Sequence, residues 1–369
     1  MNEKFEILAE TIVNYSIKVE EKENILITVE KGVSEDLINK LIEKILQKNA
    51  GVSVKIIDNE ISAFLNSKLT ENQILLSRAN LEHEVKTYNS FITICYSTND
   101  HENKNVNLKM LNKYHEITEN LDDIRINKKK WVLLNYPSLL DAHKAKMTTK
   151  EFFDFALDTM CFDYHKLYDL MLPLKELMED TDKVRIVSKN TDITFSIKAM
   201  PAIICAGEFN IPDGEVFTAP LKTSVNGKIT YNTPSPYRDN VYNNISLEFK
   251  DGKIINATCN EDNDKLNEIF DTDEGSRYIG EFAIGINPLI RKPMGDILFD
   301  EKIYGSIHFT PGMAYAEAFN GNKSAIHWDL VLIQTKDYGG GEIYFDDVLI
   351  RKDGKFVIDS LKPLNFDEK

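Results

Sequence analysis

The pattern of apolar residues changes near residue 182, and this change constrains the fold more than any other feature of the chain. Before it, the runs Asn24–Glu30, Ser90–Tyr96 and Trp131–Tyr136 read as apolar strands, and the stretches between them have helical periodicity. Apolar strands that alternate with helices are typical of a parallel sheet covered on both faces. Residues 1–182 therefore predict an α/β domain with a mainly parallel sheet.

Capping residues mark two helix starts in this first part. Ser34 precedes a stretch of paired apolar residues and is predicted to cap its helix. Thr148 and Glu151 have the spacing of a capping box, and two helices are predicted to follow it as far as about Asp180. The predicted boundary near residue 182 therefore follows directly on the last of these helices.

After residue 182, strands follow one another through turns. Hairpin turns are predicted at three dipeptides, Asn226-Gly227, Asp251-Gly252 and Asp353-Gly354. Only Asp262–Phe270 is predicted to be a helix. Residues 183–369 thus predict a mainly antiparallel-β catalytic domain of the α+β type, and two domains also suit a chain of 369 residues.

Composition excludes several classes of function. A formal net charge of −15 without a basic block argues against a nucleic-acid partner. No window approaches the ~18 apolar residues that span a bilayer, so no membrane association is expected. The N-terminus lacks the apolar run of a signal peptide, and the cysteines form no C-x-x-C pair. A cytoplasmic protein with buried, reduced thiols is expected; the thiols are Cys95, Cys161, Cys205 and Cys259.

Side chains that are typical metal ligands are concentrated in the second domain. They are Glu215, Glu281, His308, His327 and Asp329. Three carboxylates and two imidazoles form a mixed oxygen and nitrogen ligand set, which suits two divalent first-row cations better than one structural zinc. If these five side chains converge, the chain is a metal-dependent hydrolase.

Each of these residues also has a purely structural explanation. His327 and Asp329 are two residues apart at a strand entrance and project to the same face, either as ligands or as a hydrogen-bonded pair. Glu281 lies in an apolar stretch, where a carboxylate needs either a cation or an arginine partner. His308 also fits a half-buried strand face, and Glu215 fits a solvated turn. Spacing alone leaves both interpretations open.

Four longer strings resemble the aminopeptidase T-like family of dinuclear metallo-aminopeptidases. They are IPDGEVFTAP, DEGSRYIGEFAIGINP, FDEKIYGSIHFTPGMAY and NKSAIHWDLVL, which begin at residues 211, 273, 299 and 322. They occur in the order and at intervals similar to those of the family. The likeness is close over most of residues 185–350 and looser over the N-terminal half.

The resemblance implies a role for each candidate residue. The five acidic and histidine side chains match metal ligands for two divalent ions (Zn²⁺, Co²⁺, Mn²⁺ or Mg²⁺), and Glu281 is the expected bridge between them. Glu301 matches the general base, and Tyr315 matches a tyrosine that assists at the substrate carbonyl. The resemblance further implies a homodimer in which the N-terminal domain is scaffold and helps to enclose the site.

The expected activity is removal of the N-terminal residue from short peptides with a free N-terminus, through a water activated by two metals. Two alternatives remain at this point. One is another two-metal hydrolase, such as an amidase or a phosphoesterase. The other is a non-catalytic peptide- or metal-binding protein on the same fold.

Overall fold

A computed structural model of the chain describes residues 1–238 and 240–366. The helices are α1 Asn2–Thr11, α2 Glu35–Gln47, α3 Asn59–Ser67, α4 Glu71–Thr87, α5 Leu108–Lys128, α6 Leu139–Lys144, α7 Thr149–Met160, α8 Tyr164–Asp180, α9 Asn263–Phe270 and α10 Ile297–Asp300. The strands are β1 Asn24–Glu30, β2 Gly51–Ile57, β3 Ser90–Tyr96, β4 Lys130–Tyr136, β5 Lys183–Ser188, β6 Thr191–Ser196, β7 Ile203–Cys205, β8 Asn210–Ile211, β9 Glu215–Thr218, β10 Asn226–Thr230, β11 Ser235–Tyr237, β12 Asn240–Tyr242, β13 Ser246–Lys250, β14 Lys253–Thr258, β15 Ile279–Gly285, β16 Ser306–Pro311, β17 Leu330–Ile333, β18 Gly341–Phe345, β19 Val348–Lys352 and β20 Lys355–Phe356.

The chain divides into two compact units. The first comprises Met1–Phe162 and Gly207–Pro212, and the second comprises Asp163–Ala206 and the chain from Asp213 onward. The division therefore falls about twenty residues before the predicted boundary near residue 182. The reason is α8, which packs against β7 and β9 of the second unit.

The first unit contains a parallel sheet of five strands in the order β2-β1-β3-β4-β8. Successive residues of β1, Ile25 to Ile27, are all buried, so both faces of this strand are covered. Thr148 and Glu151 form the predicted capping box at the start of α7. Ser34 is the residue that precedes α2, but its side chain makes no capping hydrogen bond.

The second unit is built mainly from antiparallel sheets. Eight strands have the order β14-β13-β10-β6-β5-β18-β19-β20, five have the order β17-β16-β15-β9-β7, and β11 pairs with β12. Phe195 of the larger sheet packs against Phe282 and Phe309 of the five-stranded sheet, with ring centroids 4.9 and 5.1 Å apart. One face of the five-stranded sheet is therefore apolar core, which leaves the opposite face for polar side chains.

Two of the three predicted hairpin turns are confirmed. Asp251-Gly252 joins β13 to β14 and Asp353-Gly354 joins β19 to β20, in each case with positive φ at both residues. The prediction at Asn226-Gly227 is wrong, because this dipeptide begins β10. Gly227 has φ +113° and lies against the backbone of Asp192, where a Cβ atom would be 2.3 Å from the carbonyl oxygen.

Within residues 1–238 and 240–366, no helix combines the length and apolar character needed to cross a bilayer. The cysteines, which were expected to be buried, are all half-buried. Each of them lies at or beside the end of a strand or helix, where coverage by neighbouring elements is incomplete.

Candidate metal centre

The register of the five-stranded sheet brings three of the predicted ligands onto one face. On β15, Glu281 is opposite Thr310 of β16. Two residues further along β15, Ala283 is opposite His308 of β16. Two residues beyond Ala283 on β15, Gly285 is opposite Glu215 of β9. Directly opposed residues, and residues two apart on one strand, project to the same face. Glu215, Glu281 and His308 therefore converge, and all three are buried.

Asp329 and His327 approach this face from the segment that precedes β17. The Thr310 hydroxyl donates a hydrogen bond to Asp329 Oδ1, which holds the carboxylate against β16. His327 Nε2 lies 3.5 Å from the same Oδ1 atom. His327 Nδ1 lies 2.9 Å from the Met313 carbonyl oxygen, so Nδ1 carries the hydrogen and Nε2 is left as an acceptor. The two side chains project together, as the spacing predicts.

His308 lies between the carboxylates. Its Nε2 atom is 2.9 Å from Glu281 Oε1 and 3.9 Å from Asp329 Oδ1, and its Nδ1 atom is 3.6 Å from Glu215 Oε2. Glu281 faces this imidazole and not an arginine; the nearby Arg277 pairs with Asp271 instead. The solvated alternative for Glu215 is wrong, because this side chain is buried.

Several atoms of the cluster lack the hydrogen bonds that burial normally requires. Glu215 Oε2, Glu281 Oε2 and His308 Nδ1 are buried without a hydrogen-bond partner among the described residues. Buried polar atoms are usually paired, so these atoms fit a bound cation. Three groups of described residues offer ligand atoms within 4.8 Å of one another: Cys205 with Asp213 and Glu215, Glu215 with Glu281 and His308, and Glu301 with His308 and Asp329. The donor set fits a divalent first-row metal.

Lys302 is the residue of this site for which the sequence predicted no role. Its side chain is 2% exposed, and its ammonium nitrogen lies 2.6 Å from Glu215 Oε1 and 3.6 Å from Asp213 Oδ1. It also donates a hydrogen bond to Glu301 Oε1. A buried lysine with three carboxylate neighbours is thus part of the cluster.

Glu301 reaches the cluster from the end of α10, a four-residue helix that the sequence pattern did not predict. The following segment lies directly over β15 at Gly285. A Cβ atom on Gly285 would be 2.4 Å from the Ile303 carbonyl oxygen and 3.1 Å from that of Glu301. Only glycine at this position lets the segment that carries Glu301 and Lys302 approach the sheet so closely.

Burial dominates the proton affinities of the acidic groups. It raises the pKa of Glu215 to about 8, although the Lys302 ammonium acts in the opposite direction. Burial likewise raises the pKa of Glu301 to about 7, again against the effect of Lys302. Burial acts to lower the pKa of Lys302, but Glu215 and Glu301 outweigh it and raise that pKa well above its usual range.

The neighbouring carboxylates determine the direction in which the pKa of His308 shifts. Burial acts to lower the pKa of His308, but Glu215, Glu281 and Asp329 together raise it to about 10. Burial acts to raise the pKa of Asp329, but the two histidines lower it overall. Bound protons and the Lys302 ammonium thus offset the negative charge of the carboxylates. A divalent cation that binds to this cluster would displace some of these protons.

Tyr315 lies at the rim of the cluster. Its ring packs against His327 at 4.5 Å between centroids and against Phe217 at 5.9 Å, while 47% of the residue is exposed. Its pKa is raised above the usual value, first by the burial of its inner side and then by Glu281 and Asp329. The hydroxyl is therefore a proton donor at neutral pH.

Residues 1–356 match the family described as thermophilic metalloprotease (M29). Aminopeptidase AmpS from Bacillus subtilis (strain 168) is 36% identical over 126 residues, which are 33% of this chain and 30% of the relative. Aminopeptidase T from Thermus aquaticus is 33% identical over 119 residues, 31% of this chain and 29% of the relative. The matched segments thus span about a third of the length of these curated relatives.

Two solved structures share the fold over nearly the whole chain. Wild-type AmpT from Thermus thermophilus superposes with a TM-score of 0.80 at 17% identity, covering 96% of this chain and 99% of that one. A 2,5-dihydroxypyridine dioxygenase from Pseudomonas putida KT2440 has a TM-score of 0.64 at 16% identity, covering 98% and 99%. Because a dioxygenase shares this fold, the fold by itself does not select the reaction.

Proposed function

The chain belongs to the thermophilic metalloprotease family M29, and on that premise we propose that it is a metal-dependent aminopeptidase acting on short peptides. The observation that carries the proposal is the cluster of buried Glu281 and His308 with half-buried His327 and Asp329, whose neighbouring donor atoms lie 2.9, 3.5 and 3.9 Å apart. Such a set would hold Zn²⁺, Co²⁺ or Mn²⁺ more readily than Mg²⁺, because two donors are imidazoles. The resemblance adds a second cation, with Glu215 as its further ligand.

A divalent cation held by Glu281, His308, His327 and Asp329 would supply Lewis acidity, which would lower the pKa of water and favour a free α-amine as a ligand. Glu301 then handles the proton. Its Oε1 atom accepts a hydrogen bond from Lys302, which leaves Oε2 to take a proton from the attacking water and return it to the leaving amine. Its pKa of about 7, raised by burial, suits both transfers at neutral pH.

Tyr315 is proposed to stabilise the charge that develops on the carbonyl oxygen. Its hydroxyl stays protonated, since its pKa is raised, and donates a hydrogen bond to that oxygen. A free N-terminus is required because an acylated amine is a poor metal ligand. The homodimer, the cytoplasmic location and the restriction to short peptides remain predictions from the resemblance and the composition.

The experiment that tests the proposal uses a leucyl peptide and its N-acetylated twin. Chelated protein is assayed for release of the N-terminal residue, with and without added Co²⁺ or Zn²⁺. We expect metal to restore cleavage of the free peptide and leave the acetylated peptide intact. Equal cleavage of both peptides would favour the amidase alternative, and metal binding without cleavage of either would favour a binding protein.

A matched pair of variants separates Glu301 from carboxylates in general. Glu301→Gln keeps the size of the side chain and removes the base, so kcat is expected to fall by roughly 10²–10⁴-fold. Glu317→Gln makes the same change at an exposed position, in the 3-10 turn Ala316–Ala318, and is the control. A similar kcat for both variants would contradict the role of Glu301.

A further inference from the structure

The Lys302 ammonium takes up one oxygen of Glu215, the carboxylate that the resemblance assigns to a second cation. Its ammonium nitrogen is 2.6 Å from Glu215 Oε1 and 3.6 Å from Asp213 Oδ1, and it also contacts Glu301. The side chain is 2% exposed, so it has no route to solvent in this conformation. We infer that the Lys302 ammonium replaces one of the two cations implied by the resemblance, and that the chain binds a single divalent cation.

The orientation of His308 separates the two positions. Its Nε2 atom faces Glu281 and Asp329, at 2.9 and 3.9 Å, whereas its Nδ1 atom faces Glu215, at 3.6 Å. With Nε2 on the cation, Nδ1 carries the hydrogen and points to the Glu215 carboxylate. This is the usual arrangement of a metal-bound histidine and the carboxylate that orients it. Glu215 is then a positioning residue and not a ligand.

The unpartnered atoms of the cluster agree with this assignment. Glu215 Oε2 and His308 Nδ1 are both buried without a partner, and they lie 3.6 Å from each other. A movement of a few tenths of an ångström turns this contact into a hydrogen bond, since such bonds reach about 3.2 Å. Such a bond accounts for two of the three unpartnered atoms and leaves the third, Glu281 Oε2, for the cation.

Electrostatics also disfavour a second ion beside Lys302. An ammonium and a divalent cation on the two oxygens of one buried carboxylate would repel each other with little solvent between them. The first cation does not need Glu215, because Glu281, His308, His327 and Asp329 provide four donors. Four protein donors leave about two positions of a six-coordinate ion for water and the substrate amine, so Tyr315 is then the group that acts on the carbonyl oxygen.

The number of bound cations tests the inference directly. Chelated wild-type protein is dialysed against increasing Mn²⁺, bound Mn²⁺ is measured by mass spectrometry, and the electron paramagnetic resonance spectrum is recorded. We expect one Mn²⁺ per chain with the spectrum of an isolated ion. Two per chain with a spin-coupled spectrum would overturn the inference, as would the absence of any binding.

Variants at residue 302 show whether the ammonium itself excludes the second ion. Lys302→Ala removes the charge and opens space, so the count is expected to rise to two. Lys302→Arg keeps the charge and should keep the count at one. The exposed Lys265 provides the control Lys265→Ala, also with one. A count of one in Lys302→Ala would contradict the inference, and the wild-type count decides the matter if that variant fails to fold.

The inference rests on the proposed function only in requiring that a cation binds. Experiments can therefore refute the inference and the proposed function independently. One cation per chain without peptide cleavage would preserve the role of Lys302 and refute the aminopeptidase. Two cations per chain with cleavage of the free peptide would preserve the aminopeptidase and refute the role of Lys302.

Discussion

Replacing Lys302 with methionine should destabilise the metal-free protein in a strongly pH-dependent manner. Methionine fills nearly the same volume, so the cavity left behind is small. What the variant loses is the ammonium that contacts Asp213, Glu215 and Glu301. A buried carboxylate that loses such a neighbour holds a proton more readily. In the wild type Lys302 acts to lower the pKa values of Glu215 and Glu301, which are about 8 and about 7, so the variant is expected to retain about one proton more than the wild type above about pH 7.

The free-energy cost follows from this proton. An unfolded glutamate has a pKa of about 4.5, and keeping a carboxyl protonated above its own pKa costs about 1.4 kcal/mol per pH unit. Because Glu301 of the wild type loses its proton near pH 7, the loss relative to the wild type is small at pH 6 and reaches about 2.7 kcal/mol at pH 9 for one carboxyl that stays protonated. The sign follows because the folded variant binds more protons than the unfolded chain. Its stability therefore continues to fall above about pH 7, where Glu301 of the wild type is already ionised.

The assay is chemical unfolding in the presence of a chelator, at pH 6 and pH 9, for the wild type and the variant. The control is Lys265→Met, since Lys265 is 58% exposed and such a surface change should alter stability by less than ~0.5 kcal/mol. A loss that is equal at the two pH values would refute the reasoning. So would a loss below about 1 kcal/mol at pH 9.

Three further predictions concern single side chains. Tyr315→Phe removes the proposed donor to the carbonyl oxygen and should lower kcat by about 10²-fold with little change in KM; an unchanged kcat in the peptide assay would exclude that role. Phe309→Ala removes a ring that packs on Phe195 and Phe282 and should cost ~3–5 kcal/mol in the chemical unfolding of the metal-free protein, whereas a cost under 1 kcal/mol would mean that the two sheets repack. Thr148→Ala removes the capping box of α7 and should cost ~1 kcal/mol by the same measurement, while Thr148→Ser should retain stability; equal losses for both would contradict the capping argument.

Local sequence patterns correctly predicted the structural features that depend only on residues close together in the chain. The apolar runs of β1, β3 and β4 indicated strands because their side chains alternate between two covered faces. The two-residue spacing of His327 and Asp329 predicted a shared direction, which the 3.5 Å contact between the two side chains bears out. In both cases the information lies within a few residues of chain.

Local patterns failed where a distant segment decides the conformation. Asn226-Gly227 has the composition of a hairpin turn, yet it begins a strand, because β6 lies alongside and Gly227 fits against Asp192. The helix α8 follows the α/β pattern in sequence, yet it belongs to the second unit, because its buried side chains pack on β7 and β9. Neither outcome is encoded in the spacing of nearby residues.

The burial of Lys302 is the most important structural feature that the local patterns failed to predict. Asp300-Glu301-Lys302 has the composition of a solvated turn, and an isolated charged triplet is usually one. Its burial depends on Gly285, fifteen or more residues earlier, which lets the segment lie on β15. The sequence therefore predicted the carboxylates that attract a cation, but not the cation that the chain supplies itself.

The same limit applies to the role of Glu215. From sequence, a carboxylate that binds a metal cannot be distinguished from one that orients a metal-bound histidine, because both must lie next to that histidine. The distinction depends on which imidazole nitrogen faces the carboxylate, and here Nδ1 faces Glu215 while Nε2 faces Glu281. It depends also on the oxygen that Lys302 already occupies. A ligand set transferred by resemblance thus predicts the residues of a metal site, whereas the number of cations that we propose for it depends on Lys302, the residue that follows Glu301.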